Sequence, residues 1–327
     1  KMPKKIFITG ATGYLGSSLL KKLYDQKHKI TIFVPKNTSH PFLKGLKIKR
    51  INGDIRDYAS LLKAMKGCDY VYHLAACILN TPKAKKTLFS VNIRGTENVM
   101  KACLKLGVKK IVHVSSSSIF GFSKNGRIKL NENDVLDFKD NIYGQSKKLG
   151  DDKVQEYIAK GLNVTIVCPG SVFGAGEIEP LELIRSIKRG RIKFTFPGGT
   201  SVIAIDDIAN GMISAMEKGR KGQKYILSNQ YMRFKEMYNK IANVLKAPKI
   251  KYELPRITYY PLYLFAAIIQ TVFKNPPLTT EMVRWSYHYR NLDISKARRE
   301  LGWKPVIPFE EAVKQALKHY KKFNMLN

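Results

Sequence analysis

Four cysteines are all that this 327-residue chain contains, and Cys68, Cys77, Cys103 and Cys168 lie scattered, mostly in apolar runs such as VTIVCPG. Their spacing fits neither a metal site nor a disulfide framework, so they read as buried thiols of a reducing compartment. Only Met2–Lys5 leads into the first apolar run, which leaves no room for a signal peptide, and the expected location is the cytoplasm. Acidic residues are also scarce: 25 Asp and Glu stand against 58 Lys and Arg, a formal net charge of +33. Such a balance would suit nucleic acid, anionic lipid or a phosphorylated substrate. The lysines, however, are spread along the whole chain in pairs such as Lys109–Lys110 and Lys147–Lys148. No basic stretch is interleaved with aromatics as in nucleic-acid modules, so no specific nucleic-acid partner is expected and the charge reads as a solvated lysine surface.

Long hydrophobic runs are missing too. The most apolar segment, Ile257–Phe273, is uncharged, aromatic-rich and broken by Pro261. From Pro261 onward it falls short of the about 20 residues that a bilayer span takes. It reads as a helix of a substrate lobe, with a weak membrane-surface association as the alternative. Internal repeats and low-complexity stretches are absent. With 44% hydrophobic and 25% charged residues, the composition is that of an ordinary globular protein with a large core.

What the chain does have is KIFITGATGYLGSSLL at Lys5–Leu20. Ile6–Ile8 is the short apolar run of a strand buried on both faces, and Leu15, Leu19, Leu20 and Leu23 begin a helical pattern. Between them stand Gly10, Gly13 and Gly16. A strand, a glycine turn and a helix in that order offer free backbone N–H groups and a positive helix end to a phosphate, so the stretch reads as a dinucleotide cradle. Lys29–Val34 is a second strand, after which a dinucleotide fold usually supplies an acid for the adenine ribose. No Asp or Glu lies between Asp25 and Asp54; Lys36, Asn37, Thr38 and Ser39 stand in the gap, a set suited to a 2′-phosphate. NADP is therefore expected as the cofactor, with NAD as the alternative.

Further strands are expected at Lys47–Asn52, Tyr70–Leu74, Ile111–Val114, Asn163–Cys168, Val202–Asp207 and Tyr225–Ser228. Helices are expected at Ser60–Met65, Thr87–Leu106, around Arg185–Arg191, and over Ile208–Lys218, Phe234–Leu245 and Phe309–Phe323. Asp54, at the end of the third strand, reads as an acceptor for the adenine amino group or as a turn or N-cap residue. Small residues Ala75 and Ala76 after the fourth strand would let backbone lie against the cofactor. His73 reads as a packed core residue, and Asn92 as a structural or proton-relay contact. The fifth strand runs into Ser115–Ser118, hydroxyls at the edge where an open parallel sheet places its ligands. Tyr143 and Lys147 follow at i, i+4 on one helical face. A phenol near pKa 10 is too weak a base at neutral pH, and a neighbouring ammonium favours its ionised form. Tyr143 could then move a proton to or from a substrate hydroxyl while a strand-end serine hydrogen-bonds the same oxygen.

Taken together these residues resemble the extended short-chain dehydrogenase/reductase family. The matching pieces are GATGYLG (Gly10–Gly16), GDIRD (Gly53–Asp57), HLAA (His73–Ala76), VNIRGTENV (Val91–Val99), SSSSIFG (Ser115–Gly121), YGQSK (Tyr143–Lys147), PGSVFG (Pro169–Gly174), IDD (Ile205–Asp207) and LDISKARRELGWKP (Leu292–Pro305). The resemblance implies an α/β fold: a Rossmann-type doubly wound parallel sheet over 1–170, also receiving roughly 200–228. A smaller α/β substrate lobe would take 171–199 and 229–327. It implies a catalytic Ser116, Tyr143 and Lys147, with Ser117, Ser118 and Ser171 toward the substrate. The cofactor would be held by Gly10, Thr12, Gly13, Tyr14, Leu15, Gly16, Lys36, Asp54, Ile55, Leu74, Ala75, Ala76, Tyr143, Lys147 and Pro169.

Two departures bear on substrate. Ser171 stands where nucleotide-sugar enzymes of the family usually have Asn, and the arginine they commonly carry before the IDD stretch is missing from GGTSVIAIDD. The pattern looks like the branch of dihydroflavonol 4-reductases, 3β-hydroxysteroid dehydrogenases and hopanoid-associated epimerase-like proteins. In that branch a basic residue usually follows the second strand directly; here Pro35 takes the place and Lys36 comes one later. The expectation is an oxidoreductase interconverting a ketone and a secondary alcohol. A nucleotide-sugar epimerase with tightly held NAD and a non-catalytic cofactor-bound scaffold are the alternatives. A small-molecule substrate and a second copy in a homodimer are the expected partners.

Overall fold

The computed structural model describes residues 3–36, 38, 43, 45–78, 84–123, 125–134, 141–176, 179–273 and 276–326. In the first half, β1 (Lys5–Thr9), α1 (Tyr14–Asp25), β2 (Lys29–Val34), β3 (Lys49–Asn52), α2 (Tyr58–Met65) and β4 (Tyr70–His73) follow the apolar periodicity. The helix expected over Thr87–Leu106 is not uniform: α3 (Lys85–Phe89) passes through a π turn (Ser90–Gly95) into α4 (Thr96–Lys105). The π turn carries buried Asn92, whose side chain is spent on contacts outside the helix. Then come β5 (Lys110–Val114), a 3-10 turn (Ser117–Phe120), β6 (Lys129–Leu130), α5 (Ile142–Ala159) and β7 (Val164–Pro169).

The second half contains β8 (Ser171–Phe173), α6 (Glu179–Lys188), β9 (Phe194–Thr195), β10 (Gly199–Ala204), α7 (Ile205–Lys218) and β11 (Lys224–Leu227). It continues with β12 (Gln230–Arg233), α8 (Phe234–Leu245), β13 (Tyr252–Glu253), α9 (Tyr259–Val272), α10 (Thr280–Tyr287), β14 (Tyr289–Leu292), α11 (Ser295–Leu301) and α12 (Phe309–Lys322).

A seven-stranded sheet has the order β11-β7-β5-β4-β1-β2-β3, with every pairing parallel. Its inner strands are continuous apolar runs because helices cover both faces; β7 is buried along its whole length. The order reverses between β1 and β4. At such a switch point the loops leaving the two strands diverge and open a crevice at their carboxyl ends. A second sheet, β12-β10-β14-β6 with β8 beside β10, sits over a separate core formed by residues such as Phe173, Ile184, Phe234, Ile241 and Tyr320.

Three expectations are corrected. The strand expected at Val202–Asp207 ends at Ala204, and the helix starts at Ile205. Asp206 and Asp207 thus fall in the first helical turn, where the positive helix end favours acids. The stretch around 200–228, expected to join the first sheet whole, divides: β10 joins the second sheet, whereas β11 joins the first. Pro261 does not break its segment, because it lies in the first turn of α9, where a missing N–H is no loss.

Candidate active site

The glycine turn stands at the switch point. Gly10 has φ +74, and a Cβ there would lie 2.6 Å from the Ala75 nitrogen, so β1 leaves the sheet in close contact with the chain leaving β4. A Cβ on Gly16 would lie 2.0 Å from the Gly10 carbonyl oxygen, which shows how tightly the helix is seated on the turn. Gly13 begins α1 with no side-chain cap, and no acid occupies the first turn. Uncapped N–H groups at a helix start, next to a turn with no side chains, fit a pyrophosphate. Thr12, Tyr14 and Leu15 flank this turn, and Leu74, Ala75 and Ala76 form the opposing exit from β4.

Behind the exit is an ordered polar chain. The Ala75 N–H donates to Thr9 Oγ1 (3.3 Å), which shares a second hydrogen bond with His73 Nδ1 (2.7 Å). His73 Nε2 is hydrogen-bonded to Thr96 Oγ1 (3.0 Å), so both ring nitrogens have a hydroxyl partner. Burial holds the His73 pKa well below its ordinary value, helped by the neighbouring His113 and Lys147. The packed-core reading of His73 therefore stands, though the residue also fixes the β4 exit.

Ser116, Tyr143 and Lys147 are brought to one corner by β5 and α5. The Lys147 ammonium, 3% exposed, donates to the Val114 carbonyl at the end of β5 (2.9 Å). That contact pins α5 to the strand end two residues before Ser116, with Tyr143 one turn earlier on the same helix. Burial lowers the Lys147 pKa, and the negative charge of Asp151 opposes the shift. Ser116 caps the 3-10 turn: its Oγ accepts from the Ser118 N–H (3.2 Å) and Ser118 Oγ (2.9 Å). An oxygen that accepts twice has its own proton directed elsewhere, so Ser116 can donate to a ligand oxygen. Ser117 and Ser118 are themselves buried in the turn.

Beneath this corner lies a residue that the sequence reading passed over. Asp151, fully buried, accepts from Ser115 Oγ (2.8 Å) and His113 Nε2 (3.1 Å), with the Lys224 ammonium 3.5 Å away. Burial works against its charge, but the His113 hydrogen bond and the nearby cations Lys224 and Lys147 hold its pKa below the usual carboxylate range. Burial lowers the His113 pKa, and a second ring proton at Nδ1 would find no acceptor among the described residues. The signal was available: Asp151 follows Lys147 at i+4, on the same helical face.

Asn92 joins the two halves of the corner. Its side chain accepts from the Cys77 N–H (2.8 Å) and donates to the Cys77 carbonyl (2.9 Å) and Ser146 Oγ (2.9 Å). This is the structural contact of its two expected roles. Asp54 lies just past β3, followed by buried Ile55. The Asp54 carboxylate is chelated by Arg56, whose backbone N–H also donates to it (2.8 Å), a turn contact. The N-cap of α2 is Asp57 instead. The Arg56 hydrogen bond holds the Asp54 pKa down.

Lys36 is exposed just past β2, while Asn37 and Ser39 lie outside the described residues. A second cation reaches this loop unannounced by the sequence: Arg50, on neighbouring β3, donates to the Thr38 carbonyl. Pro169 ends β7 opposite Leu227, and the Ser171 hydroxyl is shared with Thr200 (2.9 Å). The IDD stretch is a fastener: Ser18 donates to Asp206 (2.7 Å), and Asp207 accepts the N–H groups of Val306 and Ile307.

Comparison with known proteins agrees with this fold. The profile of the NAD dependent epimerase/dehydratase family matches residues 6–228. Sterol demethylase protein B of Methylococcus capsulatus is 28% identical over 311 residues, covering 91% of this chain and 93% of its own. A 2-alkyl-3-oxoalkanoate reductase of Stenotrophomonas maltophilia is 25% identical over 330 residues, covering 95% and 98%. The crystal structure of gox2253 superposes with a TM-score of 0.88 at 26% identity, covering 98% of this chain and 99% of that one.

Proposed function

This chain belongs to the NAD-dependent epimerase/dehydratase family, and within it we propose an NADP-dependent oxidoreductase that interconverts a ketone and a secondary alcohol. The observation that supports the reading is the Lys147–Val114 contact, which ties α5, the helix of Tyr143 and Lys147, to the end of β5 two residues before Ser116. When bound, the cofactor supplies or takes up hydride. The glycine turn and the start of α1 would hold its pyrophosphate, Pro169 and Lys147 its nicotinamide end, and Lys36 with Arg50 a 2′-phosphate.

Ser116 Oγ donates to the substrate oxygen and polarises it. Tyr143 passes a proton to that oxygen in reduction, or takes it in oxidation. Lys147, a cation one turn away, favours the phenolate that oxidation needs. Asn92 and Asp151 hold the β4 exit, β5 and α5 at fixed spacing, so the three groups need little reorganisation during the reaction.

Three points support a ketone over a nucleotide sugar. Ser171 faces Thr200 and offers no amide; no arginine lies in Gly198–Ile205; and α9 brings an uncharged aromatic segment to the second lobe. The reductase named among the relatives acts on a 3-oxo compound by its name, which fits. The test is a panel of hydrophobic ketones and UDP-sugars against the cofactor-loaded protein, at low and raised salt because the lysine-rich surface attracts phosphates non-specifically. We expect NADPH-linked turnover of ketones, and a preference for NADP over NAD that Lys36→Glu narrows. Salt-resistant binding of UDP-sugars with co-purified NAD would overturn the reading in favour of an epimerase.

A further inference from the structure

Helix α9 is apolar on both sides, yet only one side is covered. Ala266 and Ile269 are buried, and Leu262 and Tyr263 pack with Val283 and Tyr287 of α10. The opposite side repeats every four residues with Tyr260, Leu264, Ile268 and Val272, which are 72%, 63%, 54% and 70% exposed. Phe265 and Phe273 widen this stripe. A helix that is hydrophobic all round is normally enclosed, and a continuous apolar patch of this kind marks an interaction surface.

The surroundings select the occupant. The strand pair β9–β13 leads into α9 and is flanked by exposed Lys193, Lys249 and Lys251; Arg256, at the helix start, is held by the Tyr289 hydroxyl (2.6 Å). Glu253, in the same stretch, is already engaged by Arg233 (2.6 Å). A second copy of this chain would bring the same cations and another +33 net charge against the face. An anionic surface offers both the apolar phase and the counter-charge.

At 14 residues α9 is about 21 Å long, against about 30 Å of hydrocarbon in a bilayer, so it would lie in the interface and not cross. Among the described residues no helix is long and apolar enough to cross a membrane. We propose that the exposed face of α9 seats the protein on anionic phospholipid, with the flanking lysines over the headgroups.

The experiment is flotation of the full chain with phosphatidylcholine vesicles, with and without phosphatidylglycerol, alongside sedimentation velocity without lipid. We expect partition onto anionic vesicles at least about tenfold above that onto phosphatidylcholine at low salt, since each basic residue near the surface contributes several-fold. Ile268→Asp and, independently, Tyr260→Asp should each cut partition at least about tenfold without changing the melting temperature, because both side chains project outward. The double variant Lys249→Glu with Lys251→Glu should flatten the salt dependence. Undiminished flotation of both single variants would leave only surface charge and overturn the proposal. Equal flotation on phosphatidylcholine, no flotation at all, or a dimer that Ile268→Asp dissociates would overturn it as well.

Discussion

Replacing Asp151 with asparagine tests the network under the catalytic corner more sharply than any change at the crevice surface. The substitution keeps the shape of the side chain and removes its charge. Ser115 and His113 each lose an ionised acceptor, and such hydrogen bonds are worth about 1.5–3 kcal/mol apiece. Taking one partner from a buried ion pair costs about 3–5 kcal/mol. Asparagine retains one acceptor, however, and Lys224 is 20% exposed, so water relieves part of its loss. We expect Asp151→Asn to lose about 3 kcal/mol in urea unfolding near pH 7.5, with an unchanged m-value.

The pH dependence supplies a second check. Because the folded-state pKa of Asp151 is depressed, its contribution is complete above the unfolded value near 4 and is lost as pH falls through the folded one. The gap between native protein and variant should therefore persist down to about pH 4 and close only below it. Lys224→Met in both backgrounds should reveal a coupling of at least about 0.5 kcal/mol. A loss under about 1 kcal/mol, or a gap that closes between about pH 7 and 5, would refute the charged, counter-ion role assigned to Asp151.

Other outcomes follow from the same geometry. Tyr143→Phe should leave cofactor binding intact by calorimetry and lower turnover at least about 10²-fold, the scale of a lost acid–base group. Gly16→Ala sets a methyl against the Gly10 backbone, which cannot yield. It should cost at least about 3 kcal/mol in urea unfolding and abolish measurable cofactor binding. His73 and His113 are buried with depressed pKa values, so the unfolded chain takes up protons first as pH falls. Stability should be level above about pH 7 and decline below about 6.5, by up to about 1.4 kcal/mol per unit for each histidine, in urea midpoints taken between those values and pH 5.

The seven-stranded sheet was legible because parallel strands buried on both faces leave uninterrupted apolar runs, and Gly10–Gly16 marks the turn between the first strand and helix. Tyr143 and Lys147 were legible because a four-residue spacing on one helix declares a shared face. Asp151 shows the same spacing but went unread, since a lone acid on an amphipathic helix gives no sign of whether it faces water or core. Arg50 was hidden differently: its relation to the loop after β2 exists only through β2–β3 pairing. The start of α7 was misplaced by three residues because VIAIDD is apolar up to the aspartates, and only their preference for a helix start distinguishes strand from helix. Pro261 misled in the opposite sense, as a breaker in mid-helix that is harmless in a first turn.

The division of residues 199–227 between the sheets has a consequence for how the chain comes to be made. Strand β7 acquires its outer neighbour β11 only after β8 and β10 have been laid in the other sheet. During synthesis the first lobe thus waits, with the face covered by α7 bare until residue 218 has emerged and a hydrogen-bonding edge open until residue 227 has. A fragment cut at the end of β7 would keep that open edge permanently and would be prone to self-association. The second lobe cannot be grafted as one insert, because its strands enter and leave at several points. An exchange of substrate lobes between relatives would have to carry β11 and α7 with it.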